Sequence, residues 1–467
     1  MSATLGSPSS ISLENLIQVL PQTSLFATEQ TAGTGWLLSP EPYPLSNSQW
    51  DVLNRLGSCL YRFSHALDKL SKTAQKEPEL AWVLNLFEAG KPDTLLNFSR
   101  MNRFKSQVPL VIRPDLLVTE SGFALCEIDA VPGGIGFITA LNTAYQALGF
   151  DVVGKDPAGD FLNMLLAEAP NATIAVVVSD EAADYRLELA YLVDRIKAVY
   201  PAIYLVHPKQ ITLVQNQLGF LDEAGEFTPI QLIYRFFELF DLPNIPQIEL
   251  IQYAVKKGLV TCTPPFKPHL EEKLVLALIH HPRLKAVWES LLSAEDLTLL
   301  KSLVPETWIL DPAPIPSHAA VIPPLYFGEK QYWDFQHLGH LSQKQRELVI
   351  KPSGFSPLAW GSRGVTVGHD VSQEAWQQAL NTAMGQFQQT PHLLQRFMKP
   401  IAEPYTYFHP TSKEVIQAEG RTRLCPYYFV TGESVALAGV LATTCPKDKK
   451  IIHGMQDGVM RSCQVLM

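Results

Sequence analysis

The chain contains few cysteines for its length, and none of them has the spacing of a metal site. Six cysteines are dispersed over 467 residues and form no Cys-x-x-Cys pair. This pattern favours reduced thiols in a cytoplasmic enzyme over a disulfide framework or a zinc site. The N-terminal segment lacks a basic region followed by a long apolar core, so no secretory signal is expected.

Long apolar runs and an excess of positive charge are also absent. No apolar run approaches the roughly 18 residues that a membrane-spanning helix requires, and a net charge of -9 disfavours nucleic acid as a partner. Hydrophobic residues make up 46% of the chain and charged residues 18%, which is typical of a well-packed globular protein with two or three structural units.

Three signatures of common enzyme classes are missing. No Gly-x-Gly-x-x-Gly motif follows the first strand of the α/β region, no Gly-Lys-Ser/Thr step occurs in the glycine-rich loop after Lys351, and no Gly-x-Ser-x-Gly motif is present. These absences disfavour a dinucleotide site, a P-loop and acyl-enzyme chemistry. The histidines lack a consistent partner set, and we interpret them as structural.

Residues 111–136 predict a β-hairpin followed by a glycine-rich turn. Glu127 and Asp129 are two residues apart and point to the same side of a strand, and Asp115 can join them from the neighbouring arm. Mg²⁺ is typically held by carboxylates together with substrate phosphates, so these three side chains are a candidate metal site. The same spacing also fits the solvated polar face of an antiparallel pair.

The sequence Pro-Gly-Gly-Ile-Gly leads directly into a predicted helix at residues 136–150. A helix N-terminus exposes unpaired amides and a partial positive charge. Gly133, Gly134 and Gly136 are therefore candidates for binding an anionic substrate group. A tight turn that requires glycine backbones is the alternative.

Lys351 ends an apolar strand and is followed by a loop rich in glycine. Its ammonium group could neutralise phosphate oxygens while the glycines let backbone amides approach them. The candidate residues of this loop are Gly361, Ser362, Arg363 and Gly364. A strand-end lysine that extends along apolar surface into water is the alternative.

Two later strands carry further polar candidates. Gln395, Arg396 and Phe397 could form a linker against an adenine through backbone groups, although an ordinary core strand explains them as well. Arg421 and Arg423 are two apart on one strand face, and arginine is suited to phosphate and carboxylate. An isolated surface pair is the alternative for the two arginines.

Periodicity and composition divide the chain into four regions. They are a helical N-terminal region (1–108), the hairpin and glycine turn (109–150), an α/β subdomain with a small parallel sheet (151–245), and a region of helices followed by strands (246–467). The proline-rich stretch 304–327 is expected to be an extended connector. The fold class is therefore mixed α+β and α/β.

In their order along the chain, these segments resemble the glutathionylspermidine-synthase-like, circularly permuted branch of the ATP-grasp ligases. The resemblance covers about residues 95–460. The residues that match the family's motifs are Arg113, Asp115, Glu127, Asp129, Tyr234, Arg235, Lys273, Lys351, Gln395 and Phe397. Asp129 stands where the family usually has asparagine, and the added negative charge leads us to expect a different ion balance or one more cation nearby.

The resemblance implies a permuted ATP-grasp fold that binds Mg-ATP between two small lobes within residues 246–467. The three hairpin carboxylates would carry Mg²⁺, and arginines and lysines would neutralise phosphate charge, as phosphoryl transfer requires. The implied nucleotide residues are Lys273, Lys351, Gly361, Ser362, Arg363, Gly364, Gln395, Arg396 and Phe397. The implied catalytic residues are Arg113, Lys351 and Arg421, and Arg235 joins the glycine turn as a substrate candidate.

Reactions of this family phosphorylate an acceptor oxygen, and an amine then displaces phosphate to form a C–N bond. In length, stand-alone layout and hairpin sequence, the chain is most similar to ligases of mycosporine biosynthesis, which join glycine to 4-deoxygadusol. Two alternatives remain open. An amide-forming ligase of the glutathionylspermidine or peptide type would require an acidic pocket beyond the hairpin carboxylates, and a non-catalytic nucleotide-binding protein would lack essential site residues. The expected partners are small molecules, without nucleic acid or membrane, and the N-terminal region is a cap or a homodimer surface.

Overall fold

The computed structural model describes residues 12–20, 25–26, 35–313, 323–359, 363–449, 451–452 and 458–466. Its α-helices are α1 (Leu13–Val19), α2 (Asn47–Ala74), α3 (Ala81–Glu88), α4 (Asp93–Ser99), α5 (Ile135–Ala147), α6 (Pro157–Glu168), α7 (Arg186–Lys197), α8 (Ile248–Lys257), α9 (Val275–Ile279), α10 (Lys285–Leu291), α11 (Ala294–Leu303) and α12 (Gln373–Gly385). None of these helices combines the length and the apolar character needed to cross a membrane, within the described residues.

The strands are β1 (Leu37–Leu38), β2 (Tyr43–Leu45), β3 (Val111–Thr119), β4 (Gly122–Asp129), β5 (Ile174–Val178), β6 (Ile203–Val206), β7 (Ile211–Val214), β8 (Gln217–Leu221), β9 (Phe227–Pro229), β10 (Leu232–Phe236), β11 (Thr261–Thr263), β12 (Thr307–Ile309), β13 (Leu325–Phe327), β14 (Lys330–Tyr332), β15 (Leu348–Pro352), β16 (Thr366–Val367), β17 (His392–Arg396), β18 (Ala402–Phe408), β19 (Val415–Thr431), β20 (Ser434–Pro446) and β21 (Val459–Val465). Strands alternate with helices through much of the chain, as expected for a mixed α/β protein.

The largest sheet has eight strands in the order β1-β21-β20-β19-β3-β4, with β18 beside β19 and β2 beside β21. The predicted hairpin is present in it as β3 and β4, which pair antiparallel. The long C-terminal strand β19 pairs with β3, and β1 and β2 pair with β21 in parallel. Strands from three of the four predicted regions therefore share one sheet, and the predicted boundaries remain a prediction.

The parallel sheet predicted in the α/β region is also present. Strands β5, β6 and β10 pair in parallel, and β11 extends the sheet beyond residue 245. All five residues of β5 are buried, which is the continuous apolar pattern of a strand covered on both faces. Helices α5, α6 and α7 pack beside it in one hydrophobic cluster.

A third sheet contains β12, β17, β15 and β16 and is covered by α12, whose Trp376 and Leu380 are fully buried. The proline-rich stretch 304–327 is not only a connector, because β12 within it pairs with β17. Part of this stretch, residues 314–322, lies outside the described residues.

Helix α2 covers the back of the largest sheet. It begins at a capping box formed by Ser46 and Gln49, and its apolar face buries Leu53, Leu60 and Phe63 against the core. This long amphipathic helix lies in the N-terminal region that the sequence predicts to be helical.

Candidate functional site

A cavity of about 550 Å³ is lined by residues from the three sheets described above. Predicted site residues that line it are Arg113, Asp115, Glu127, Asp129, Gly133, Gly134, Lys273, Lys351, Arg363, Gln395, Arg396 and Phe397. The cavity also lies at the carboxyl ends of β5 and β10, where ligands commonly bind in α/β proteins.

The register of the hairpin explains how its carboxylates come together. Arg113 lies opposite Asp129, and Asp115 lies opposite Glu127. A β-bulge then shifts the register, because Leu116 lies opposite Leu125 and Cys126 has no partner across the strand. Bulges of this kind re-aim backbone groups next to functional sites. Here the Cys126 carbonyl oxygen accepts a hydrogen bond from Lys351 Nζ at 3.1 Å.

Asp115 is a buried counter-ion for two arginines. Its Oδ1 lies 3.2 Å from Arg113 Nη2, and its Oδ2 accepts from Arg423 Nη1 at 2.8 Å. The Cys425 thiol also lies 3.4 Å from Oδ1. Burial acts to raise the pKa of Asp115, but the two guanidinium groups hold that pKa below its usual value.

Asp129 and Glu127 face the cavity with separate cationic partners. Asp129 Oδ2 lies 2.9 Å from Arg113 Nη2, and Glu127 Oε1 lies 2.6 Å from Lys273 Nζ. Burial raises the pKa of Asp129, and Arg113 opposes this shift. Arg113 is thus the cation that balances the negative charge added by an aspartate at this position.

These contacts decide which carboxylates fit a metal. Within the part of the chain that the structure describes, no three His, Cys, Asp or Glu side chains are gathered closely enough to hold a metal ion. Both oxygens of Asp115 are engaged by arginines, so we remove Asp115 from the predicted ligand set. Glu127 and Asp129 remain predicted ligands of Mg²⁺, which is usually bound by one or two carboxylates plus substrate phosphates. Asp129 Oδ1 accepts a hydrogen bond from the Val131 amide at 2.9 Å, so Glu127 is the less engaged of the two carboxylates.

The two predicted phosphate lysines lie on either side of the bulged strand. Lys273 precedes α9 and contacts Glu127 and the Ala359 carbonyl oxygen. Lys351 contacts Cys126, and its Nζ also lies 2.9 Å from Gln395 Oε1. Lysines from two distant segments therefore meet adjacent residues of β4.

The glycine turn is already occupied by a carboxylate of the chain itself. The Gly134 and Gly136 amides donate to the Glu188 carboxylate at 2.7 and 2.6 Å. Gly136 does not line the cavity, and Gly134 has φ +104 with Tyr427 Oη 2.2 Å from where a Cβ would stand. The alternative of a turn that requires glycine is therefore the better explanation, and the substrate role of these two amides stays a prediction that this contact does not support.

Two predicted arginines are also placed away from the cavity lining. Arg235 is fully buried, contacts Glu271 and donates to the Pro264 carbonyl oxygen at 3.2 Å, so it cannot reach a substrate. Arg421 lies two residues before Arg423 on β19, about 7 Å along the strand. Only Arg423 of this pair lines the cavity.

The structure describes only part of the predicted nucleotide loop, residues 361–364. Gly361 and Ser362 lie outside the described residues. Arg363 lines the cavity and lies 3.2 Å from Glu181 Oε1, whereas Gly364 does not line it. The Arg396 side chain pairs with Glu306 at 3.0 Å.

Several lining residues escaped prediction. Glu238 follows β10, and the rule that sites form at the carboxyl ends of parallel strands would have indicated it. Trp36, Phe137 and Tyr427 come from distant segments and carry no local signal. Trp36 and Phe137 pack edge to face with ring centroids 5.8 Å apart.

No family model and no curated protein matches the sequence. Among solved structures, a glutathione synthetase-like effector from Globodera pallida in its apo form aligns over 97% of this chain and 96% of its own, with a TM-score of 0.55 and 10% identity. The chain has a glutathione synthetase-like fold. At this identity the likeness extends to the fold alone.

A Methylobacillus flagellatus protein, provisionally named a gamma-glutamylcysteine synthetase, aligns over 81% of this chain and 86% of its own. Its identity is 10% and its TM-score of 0.40 is too low to support an argument. The mixed α/β fold class is confirmed at this coarse level. The circular permutation and the subdomains remain predictions.

Proposed function

We propose that the protein is an ATP-dependent ligase that forms a carbon–nitrogen bond. One observation carries this proposal: Lys273 and Lys351, from distant segments, contact adjacent residues of a carboxylate-bearing strand inside one cavity. Lysines beside carboxylates are the groups that bind nucleotide phosphates and Mg²⁺ in phosphoryl transfer. The glutathione synthetase-like fold supports the proposal by analogy.

The nucleotide base would bind at the third sheet. Val349, Val367 and Phe397 supply apolar surface there. The Arg396 and Phe397 amides already donate to the carbonyl oxygens of Glu306 and Glu347, so we assign adenine recognition to the Met398 backbone and the apolar side chains. The Gln395 side chain, which contacts Lys351 and Thr307, would orient the lysine.

The charged centre would hold the phosphates. Lys273 and Lys351 would contact phosphate oxygens, and Glu127 and Asp129 would hold Mg²⁺, which neutralises phosphate charge when bound. Arg113 and Arg423 would face the transferred phosphoryl group. Their Nε atoms are buried and have no hydrogen-bond partner among the described residues, so the two guanidinium groups are not fully satisfied within the chain.

A second apolar surface lies beyond Arg113. Trp36, Phe137, Leu441 and Met460 line it, and Arg113 Nη1 lies 3.3 Å from the nearby Gly133 carbonyl oxygen. A compact ring-shaped acceptor such as 4-deoxygadusol fits this chemistry. Its enol oxygen would attack the γ-phosphorus and release ADP. The glycine amine would then attack the ring carbon that carries the phosphorylated oxygen, and phosphate would leave from that carbon.

A second candidate, an amide ligase for a cationic amine, is favoured by a separate observation. Three carboxylates besides those of the hairpin line the cavity, namely Glu181, Asp184 and Glu238. This is the acidic pocket that the glutathionylspermidine alternative requires. Glu181 pairs with Arg363, whereas Asp184 and Glu238 have no ion pair within the described residues. Burial and the neighbouring Glu271 and Asp129 raise the pKa of Glu238, and an ammonium bound beside Glu238 would favour its charged form.

The deciding experiment supplies Mg-ATP with defined substrate pairs and measures ADP, phosphate and adduct mass. Glycine with 4-deoxygadusol tests the first candidate, and a polyamine with a peptide carboxylate tests the second. We expect ADP, phosphate and a glycine adduct in equal amounts. A polyamine amide instead would refute the glycine assignment and keep the ligase, and the absence of any nucleotide binding would refute both.

A further inference from the structure

We infer that Lys91, in the N-terminal helical region, is a positioning residue that fixes the loop 353–359 of the nucleotide site through Glu272. Only the predicted effect of Lys91 on nucleotide binding rests on the proposed function. The contact itself is independent of that function. Through Lys91, the turn between α3 and α4 would help to position the nucleotide site.

The Lys91–Glu272 ion pair is completely buried. Lys91 Nζ lies 3.0 Å from Glu272 Oε2, and both side chains are 0% exposed. A buried ion pair adds little to stability compared with apolar packing, because both charges lose their water. A buried pair of this kind can instead fix a unique arrangement of the segments that it joins.

Glu272 connects Lys91 to the loop. The Ser353 hydroxyl donates to Glu272 Oε2 at 2.6 Å, and the Gly354 amide donates to Glu272 Oε1 at 2.8 Å. The Lys91 ammonium also lies 5.5 Å from the centre of the Phe355 ring. One carboxylate and one ammonium thus hold three consecutive residues at the start of the loop.

The other end of the same loop reaches the proposed phosphate lysine. The Ala359 carbonyl oxygen accepts a hydrogen bond from Lys273, the residue that follows Glu272. The position of Lys273 therefore depends on Glu272 through the backbone and on the loop through Ala359. Displacing the loop would move the ammonium that we assign to phosphate.

The turn that carries Lys91 is itself tightly held. Gly90 has φ +71, and a Cβ at this position would stand 1.8 Å from the Gln389 carbonyl oxygen, in the turn that precedes β17. The turn therefore packs between the start of the nucleotide loop and the approach to the adenine strand. Only glycine permits this approach.

The test is the double variant Lys91→Met/Glu272→Gln, which removes both charges without leaving one unpaired. We expect the Kd of Mg-ADP to rise roughly 10- to 100-fold, because small displacements of site groups have effects of this size. Amide hydrogen exchange at residues 353–359 should also accelerate in the nucleotide-free protein.

The matched control is Lys267→Met/Asp68→Asn. This pair is also buried, with Nζ 2.8 Å from Oδ1, and no contact between it and residues 353–359 is present in the described part of the chain. Asp68 also contacts Lys72 and His269. We expect the control to leave Mg-ADP binding and exchange at residues 353–359 unchanged. Equal effects in both double variants would overturn the inference, since general destabilisation would explain them.

The variant Ser353→Ala covers the case in which the double variant does not fold. It removes one loop contact to Glu272 and should accelerate exchange at Gly354, whose amide donates to the same carboxylate. The Phe355 amide is left out of this readout, because it donates to the Ser353 hydroxyl itself. Unchanged exchange at Gly354 overturns the inference. If wild-type protein binds no nucleotide, the proposed function fails, but the exchange comparison still decides whether Lys91 and Glu272 fix the loop.

Discussion

Replacing Glu127 by glutamine tests whether Glu127 and Lys273 bind each other in the nucleotide-free protein and exchange this contact for Mg²⁺ and phosphate when Mg-ATP binds. Glutamine keeps the size of the side chain and removes its charge. The variant should lose a Mg²⁺ ligand and, at the same time, release Lys273 for phosphate. We therefore expect turnover to be lost while nucleotide binding without metal becomes tighter.

The magnitude follows from the geometry of the pair. At 2.6 Å, the Coulomb attraction is about 6 kcal/mol for an effective dielectric constant of ~20. The side chains are 12% and 30% exposed, and desolvation and solvent screening offset most of this attraction, leaving about 1–2 kcal/mol. Metal-free ATP should thus bind about 5- to 30-fold more tightly to Glu127→Gln than to the wild type.

Isothermal titration of ATP in the presence of EDTA, and then with Mg²⁺, measures both effects. Asp129→Asn is the matched control, because Asp129 pairs with Arg113 rather than Lys273. This control should leave the Lys273 pair intact and not tighten metal-free binding by that route. An unchanged affinity of Glu127→Gln for metal-free ATP would refute the competition between Glu127 and phosphate for Lys273. Near-normal turnover of this variant would refute the assignment of Glu127 as a Mg²⁺ ligand.

Three further predictions concern single residues. Arg423→Met should reduce turnover at least 100-fold if this guanidinium faces the phosphoryl group, whereas Arg421→Met, outside the cavity lining, should change kcat less than about 3-fold; similar losses in both would contradict the assignment. Burial raises the pKa of Glu188 from 4.5 to about 7, so the folded state holds this proton more tightly than the unfolded state. Its contribution to stability is complete below pH 4.5 and is lost as pH rises through 7, by about 3 kcal/mol; Glu188→Gln should flatten the fall in Tm between pH 5 and pH 8, and an equal slope in both proteins would show another group to be responsible. Glu238→Gln should raise the KM of a polyamine roughly tenfold and leave that of glycine unchanged, as steady-state kinetics with each amine would show.

The local elements of the fold could be predicted because their patterns are local. Helix α2 follows from apolar spacing, and the hairpin follows from two β-rich runs around a turn. The parallel pairing of β1 and β2 with β21 could not be predicted, since it joins the two ends of the described chain. Strands β1 and β2 have only two and three residues, and their partner β21 lies far away in the sequence, so no local pattern indicates the pairing.

The site was predictable by residue type more than by position. Arg421 and Arg423 have the same spacing signal, and only the register of β19 against β3, with Arg423 opposite Leu117, decides which of them faces the cavity. The glycine turn presented unpaired amides in sequence, but Glu188 supplies their acceptor from α7, 54 residues away from Gly134. A glycine turn before a helix indicates backbone donors from local sequence, whereas an acceptor supplied by a distant helix depends on tertiary packing and has no local signal.

Charge balance explains why an aspartate is tolerated at position 129. Six cations and six carboxylates line the cavity, so the formal charge of its lining is six minus six, or zero. Arg113 bridges Asp115 and Asp129, so the additional carboxylate is matched within the hairpin itself. A lining without net positive charge cannot neutralise the polyanionic phosphates of ATP by itself. The remaining charge would be supplied by Mg²⁺ at Glu127 and Asp129, which makes nucleotide and metal binding mutually dependent at this site.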